Sequence, residues 1–340
     1  MPAARPASIP VFPDERALAA IFASLHDRRR VLLAVSGGPD STALMLLARK
    51  WCAARPDGPA LAVATVDHGL RPEAREEAEA VGRLARQLGL SHAVLDLPTR
   101  LTSSGLQEAA RNGRYEALLA HARAIDADGI VTAHTRDDQA ETVLFRLMRG
   151  SGLSGLAGIP ATRELGGVAL LRPLLGWAKD DLLAICATAG VDFVVDPSNA
   201  DPRFARARLR ALMPTLAREG LDANRLSRLA SRLARADAAL ESAVDAAAAD
   251  LWSVDGEGIA LGRGALLALP PEIGLRLMGR VVQEVGDGPV ELAKLEAVHD
   301  WLVALPATGT GARTLAGALI RARRAHIVVR RAPPRRMVKS

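Results

Sequence analysis

Val31-Leu32-Leu33-Ala34-Val35 runs directly into Ser36-Gly37-Gly38-Pro39-Asp40-Ser41, and Ser41–Cys52 then carries apolar residues at helical spacing. That order reads as buried strand, tight turn and helix. In an open parallel sheet, ligands bind beyond the C-terminal ends of the strands, where the strand order reverses. Gly37 and Gly38 let the backbone turn sharply and present N–H groups, while Ser36 and Ser41 add hydroxyl donors. The helix that follows points its positive end at the same spot, so a phosphate anion fits there. No Gly-Lys-Ser/Thr follows, so this is not a loop that places a lysine on the β- and γ-phosphates. A neutral loop of this kind suits a pyrophosphate that leaves as a unit, with Asp40 placed to hold Mg²⁺. The plainer account is a Gly-Gly turn with a capping residue; the position directly after an apolar first strand weighs against it.

Working outward, strands are expected at Leu61–Val66, Ala93–Leu97, Gly129–Thr132 and Val168–Leu171, with a further apolar run at Val191–Val195. Helices are expected at Arg16–His26, Glu73–Leu88, Leu106–Ala124, Asp137–Met148 and Lys179–Ala189. Strands alternating with helices at this spacing predict an α/β fold with an open, parallel, Rossmann-like sheet. The expected organisation is an N-terminal extension with a short helix over 1–30 and a catalytic domain over 31–215. A helical linker follows over 216–251, then a small α+β C-terminal domain over 252–340. In that last domain, helices Leu275–Val285 and Glu291–Leu305 precede an Arg-rich hairpin formed by Thr314–Arg321 and Ala325–Arg330.

The 340 residues are 49% hydrophobic and carry a net charge of +6, with only 3% aromatics. A basic balance fits a polyanionic partner, nucleic acid or membrane. Arginine is dense over 203–235 and again over 313–339, where no acidic residue interrupts it. No run approaches the ~20 apolar residues needed to cross a bilayer, and no secretory h-region is evident. The expected location is therefore the cytoplasm, without a membrane partner. The two cysteines, Cys52 and Cys186, form no paired motif, so neither a zinc site nor a cysteine-held iron–sulfur cluster can be built from them. Buried free thiols are expected.

Further stretches carry chemistry. Val66-Asp67-His68-Gly69 leaves the second strand beside the phosphate loop, where an adenosine would lie; a simple strand exit is the alternative for His68. Arg111 and Arg114 share a face of the Leu106–Ala124 helix and either meet phosphate or are solvated. Thr132-Ala133-His134-Thr135-Arg136-Asp137-Asp138-Gln139-Ala140-Glu141 opens a helix right after the fourth strand. Acidic residues there suit the helix dipole, but three carboxylates within five residues exceed what capping needs. Asp137 and Glu141 share a face and can act together on Mg²⁺ or on another cation. His134 is placed to contact the nucleotide or move a proton.

Ser36–Ser41 resembles the signature of the N-type (PP-loop) ATP pyrophosphatases, which activate a substrate oxygen as an adenylate. The stretches Val66–Pro72, Gln107–Tyr115, Thr132–Leu156 and Arg172-Pro173-Leu174-Leu175 with Asp196-Pro197-Ser198-Asn199 resemble the tRNA(Ile)-lysidine synthetases in order and spacing. The resemblance covers roughly residues 30–215, and the Thr132–Thr142 stretch is its most specific part. It implies ATP-dependent ligation of free L-lysine to carbon-2 of the wobble cytidine of isoleucine tRNA with a CAU anticodon. AMP and diphosphate are released, and codon reading changes from AUG to AUA. It also implies Ser36, Gly37, Gly38, Pro39, Asp40, Ser41, Asp67 and His68 at ATP, and Asp40, His134, Asp137, Asp138 and Glu141 in catalysis. Asp40 and Asp137 are expected at Mg²⁺, and Arg111, Arg114, Arg206, Arg208 and Arg210 at tRNA or lysine. Two departures stand out: the family usually has a second His at Thr135, and tends to have Asn near Ala207.

Paired cysteines that many tRNA thiolases need are missing, as is a nucleophilic-Cys amidotransferase domain. A non-catalytic nucleotide- or RNA-binding protein on the same fold is the rival of another class, and the acidic residues speak against it. Oligomeric state is open, a homodimer being one arrangement.

Overall fold

A computed structural model describes residues 12–67, 73–97, 106–194, 203, 205–256 and 258–333. The chain divides into two compact units, Met1–Met148 with Gly158–Ala230, and Arg149–Ala157 with Ser231–Ser340.

In the first unit, α1 (Glu15–Ile21) and a 3-10 turn precede β1 (Arg30–Ala34), α2 (Pro39–Ala53), β2 (Ala60–Asp67), α3 (Glu73–Gln87) and β3 (Ser91–Asp96). Then come α4 (Leu106–Ala124), β4 (Gly129–Val131) and α5 (Arg136–Met148). After α6 (Leu153–Leu156), which belongs to the second unit, the chain continues with β5 (Thr162–Leu165), β6 (Val168–Leu171), α7 (Lys179–Thr188) and α8 (Ala205–Arg218). The strand order is β3-β2-β1-β4-β6-β5. The first five are mutually parallel, and β5 runs antiparallel on the edge. β1 lies between β2 and β4, so the order reverses there, and the crevice beyond the C-terminal ends of β1 and β4 is the ligand position of such sheets.

Alternation along β1 divides the core. Val31, Leu33 and Val35 face a cluster containing Met45, Leu47, Trp51, Val81 and Ile185, whereas Leu32 faces Tyr115, Leu118, Ala122 and Ile130. Each face of the sheet is thus apolar, as parallel strands covered on both sides require. α8 adds Met213, and the start of α9 (Ala223–Leu251) adds Leu226 and Ala230, against Ala140 and Val143 of α5.

The second unit has a five-stranded antiparallel sheet in the order β7-β8-β11-β10-β9, formed by β7 (Ser253–Asp255), β8 (Gly258–Gly262), β9 (Gly311–Leu315), β10 (Ala318–Ala322) and β11 (His326–Arg331). It packs on α11 (Pro271–Val285) and α12 (Leu292–Ala304), with α10 (Arg263–Ala268) between β8 and α11. Arg263, 3% exposed, donates to the carbonyls of Leu305, Pro306 and Gly309 at 2.7, 3.0 and 2.8 Å and closes the end of α12. Arg276 binds Asp237, Glu241 and Glu272, joining α9 to α11.

Four sequence expectations change. Thr314–Arg321 is not one strand, because Ala316 and Gly317 (φ +49° and +81°) turn the chain between β9 and β10. Residues 191–194 do not join the sheet; the Val194 N–H instead donates to the Gly37 carbonyl at 2.9 Å. The region 216–251 is helical but interrupted between α8 and α9, where Gly220 has φ +88°. Cys186 is buried as expected, while Cys52 is partly exposed. Among the described residues, no helix is long and apolar enough to cross a membrane.

Candidate functional site

The phosphate loop leaves β1 at the reversal point. Gly37 adopts φ +88°, and a Cβ there would lie 3.3 Å from both Val194 Cγ2 and Val81 Cγ2, so glycine answers conformation and space together. Gly38 is the N-cap of α2 and Pro39 its first residue, which fixes the helical start and sets Asp40 in the first turn. The Ser41 hydroxyl donates to the Gly38 carbonyl at 3.0 Å and accepts from the Ser36 N–H at 3.2 Å, with the Ser36 hydroxyl 3.3 Å away. These bonds hold the turn as a preformed cradle.

Asp40 is the polar anomaly of the loop. Its Oδ2 lies 3.3 Å from Lys179 Nζ, while its Oδ1 is buried with no hydrogen-bond partner. Burial raises its pKa, Asp138 and Asp137 push the same way, and Lys179 opposes them. A buried, unpartnered carboxylate oxygen is costly unless something cationic meets it.

His134 and the acidic residues follow β4, the strand next to β1. Thr135 caps α5: its N–H donates to Asp138 Oδ2 at 2.8 Å and its hydroxyl donates to the same oxygen at 3.0 Å. The Asp138 N–H returns a bond to the hydroxyl at 3.3 Å. This is a reciprocal capping box, so Thr135, where the family usually has His, has a structural part. Asp137 Oδ2 accepts from the backbone N–H of Lys179 at 2.9 Å and caps α7 from 42 residues away. Glu141 is 4% exposed, and Arg210 grips both its oxygens at 2.7 and 3.0 Å. Two residues expected at different tasks therefore meet as one charged pair.

His134 Nδ1 lies 2.9 Å from the Thr132 hydroxyl. Burial pushes the imidazole pKa down to about 4; Asp138 opposes this, and Arg172, Arg114 and Arg111 reinforce it. His134 is thus neutral near pH 7 and stands between carboxylates and arginines.

Asp67 ends β2, and His68 lies outside the described residues, as do Arg71, Pro72 and 196–199. Arg111, Arg206 and Arg208 are exposed and Arg114 is half-buried; Arg208 donates to the Arg203 carbonyl at 3.0 Å. Among the described residues, no three His, Cys, Asp or Glu side chains converge to hold a metal alone. Mg²⁺ does not need such a set, since it keeps waters and binds through one or two carboxylates plus substrate phosphates.

Sequence reasoning missed Lys179, which reaches Asp40 across 139 residues. It also gave no part to Tyr115, Arg163 or the 4%-exposed Arg172. Tyr115 and Arg172 sit inside quoted motifs, so the signal was present without a geometry to read it.

The family described as a PP-loop domain matches residues 12–216. A tRNA(Ile)-lysidine synthase from a Bradyrhizobium species is 48% identical over 93% of this chain and 94% of its own length. One from Rhodopseudomonas palustris is 50% identical at the same coverages, and one from Methylobacterium nodulans is 51% identical over 90% and 91%. Among solved structures, a U34-tRNA thiolase from Methanococcus maripaludis covers 64% of this chain and 76% of its own at TM-score 0.55. At 18% identity it speaks to the fold alone.

Proposed function

This chain belongs to the tRNA(Ile)-lysidine synthase family, and from that premise we propose how its PP-loop domain carries out the ligation. It is an ATP-using ligase that modifies tRNA. The reaction assigned to it joins free L-lysine to carbon-2 of the wobble cytidine of the isoleucine tRNA with a CAU anticodon, in the cytoplasm.

The observation that carries the mechanism is the meeting of two elements at the strand-order reversal. The preformed Ser36–Ser41 cradle follows β1, and the His134–Glu141 segment follows β4, the adjacent strand. The cytidine O2 attacks the α-phosphorus of ATP, and pyrophosphate leaves into the cradle. That oxygen, otherwise a very poor leaving group, departs as AMP when the lysine ε-amine, its ammonium proton lost to solvent, attacks carbon-2. Holding the reactants in line and neutralising developing charge supplies most of the rate.

Asp40 Oδ1 is suited to Mg²⁺, with Asp137 as its neighbour; the ion would offset charge on the pyrophosphate. Lys179, beside Asp40, brings to the neutral loop the ammonium it lacks. Asp137 and Asp138 suit the lysine ammonium, Glu141 being already paired with Arg210, and neutral His134 can hydrogen-bond without bringing a second positive charge. Arg111, Arg114, Arg206 and Arg208 are assigned to the RNA side, and Arg210, which holds Glu141, to the lysine side. Single-stranded loops are where RNA sequence is read, and the base must leave its stack to reach the crevice.

The test follows ATP with isoleucine tRNA transcript, with and without lysine. Pyrophosphate release that requires tRNA, with AMP release that also requires lysine, is expected. AMP and pyrophosphate release indifferent to tRNA would overturn the reading.

A further inference from the structure

Between α4 and the β6 edge lies a group of side chains that the nucleotide cradle does not use. Tyr115 of α4 is 6% exposed, and the guanidinium carbons of Arg111, Arg114 and Arg163 stand 5.9, 5.5 and 5.9 Å from its ring centroid. Arg172, directly after β6, is 4% exposed and donates to the Pro160 carbonyl at 2.7 Å. Among the described residues, none of these four arginines forms an ion pair with a carboxylate.

Two buried polar atoms at the base of the group lack partners, Tyr115 Oη and Arg172 Nε. Arg172 is near enough to influence the phenol but does not reach hydrogen-bond geometry with it. Burial raises the Tyr115 pKa, yet Arg114, Arg172 and Arg111 outweigh it and leave the phenol below its ordinary value. Burial likewise lowers Arg172; the Tyr115 phenol opposes this, and Arg163 and Arg111 add to it. Three guanidiniums around one ring, with Arg172 near its phenol and no carboxylate paired to them among the described residues, repel one another, and the arrangement is relieved when an anion joins it.

We propose that Arg111, Arg114 and Arg163, stacked on Tyr115 and backed by Arg172, form a seat for an RNA backbone phosphate next to His134. This rests on the reading of tRNA as substrate and adds Arg163, Arg172 and Tyr115 to it. Planar guanidiniums match phosphate in a fork geometry, and an aromatic plate holds them ready. The location favours RNA over the ATP phosphates. The cradle is packed on the α2 and α7 side of the sheet, and the arginine group on the α4 side. His134 feels Asp138 from one group and Arg172, Arg114 and Arg111 from the other, so it stands where a base anchored by its phosphate meets the nucleotide.

Arg163 is exposed on the edge strand β5, so its replacement leaves the core intact. Binding of fluorescent isoleucine tRNA transcript would be measured from about 50 to 200 mM salt for wild type, Arg163→Ala and Arg163→Lys, beside the KM for ATP. We expect Arg163→Ala to weaken tRNA binding about fivefold and flatten the log–log salt slope by about 0.7, the value for one single-strand phosphate contact. Arg163→Lys should recover part of the loss, with KM for ATP unchanged throughout. A raised KM for ATP with tRNA affinity intact would assign the cluster to the triphosphate and overturn the proposal. No change in either would mean a merely solvated cluster and overturn it too. Failure of the wild type itself to bind tRNA would instead defeat the underlying reading.

Discussion

Arg210→Met removes both bonds to Glu141 and leaves a carboxylate whose side chain is 5% exposed without its cation. Breaking one partner out of a buried pair costs about 3–5 kcal/mol. The Arg210 side chain is 42% exposed, so water screens part of the interaction and about 2–3 kcal/mol is the fitting range. For a domain of about 150–250 residues each kcal/mol moves the melting temperature by about 2–4 °C, which gives a fall of about 4–12 °C. Glu141→Gln with Arg210→Met removes the stranded charge and should recover most of that loss. Urea unfolding of the wild type, both single variants and the double variant completes the cycle. A coupling energy of at least about 1.5 kcal/mol is expected for side chains in direct contact. Additive effects, with coupling near zero, would refute the claim that Glu141 and Arg210 act as one pair.

Three further outcomes follow from the same geometry. His134 has a native pKa of about 4 against an ordinary 6.5, so the unfolded chain binds the extra proton first. Its contribution is fully present above pH ~6.5 and is lost as pH falls toward about 4; His134→Asn should flatten that part of the stability–pH curve, and an unchanged curve counts against the burial argument. Thr135→Ala deletes the hydroxyl of the α5 cap and should cost about 1 kcal/mol in urea unfolding, whereas no loss would mean the box is not formed. Lys179→Met should raise the KM for ATP about tenfold, the order of one lost charge-assisted hydrogen bond. Lys179→Arg should restore most of it, and KM values for lysine and tRNA should be unmoved; equal KM for ATP in all three proteins would remove Lys179 from the nucleotide site.

What the sequence conveyed well was local. Val31–Ser41 announces its strand, turn and helix because an apolar run and two glycines suffice, and Thr132–Glu141 announces a strand exit with a charged helix start. The pairings that complete the site are distant in sequence. Lys179 meets Asp40, and Arg210 meets Glu141, only because α7 and α8 pack back onto α2 and α5. No periodicity contains that information. Asp138 was legible as acidic but not as half of a capping box, since that depends on the rotamer of Thr135. β5 escaped because Thr162-Arg163-Glu164-Leu165 is mostly exposed on an edge and shows no apolar run. The β9–β10 turn escaped because its positive-φ pair is Ala316-Gly317, with no Asn-Gly or Asp-Gly to mark it.

The central claim is that the cradle after β1, through Asp40, drives attachment of lysine to RNA. Incubating the protein with ATP, isotopically labelled lysine and isoleucine tRNA transcript, and counting label retained on the RNA, tests it directly. Wild type should label the tRNA in an ATP-dependent way, and Asp40→Ala, with tRNA affinity kept, should lose at least about a hundredfold in rate, as removal of one electrostatic stabiliser does. Undiminished labelling by Asp40→Ala would contradict the site, and no labelling by the wild type on competent tRNA would contradict the function.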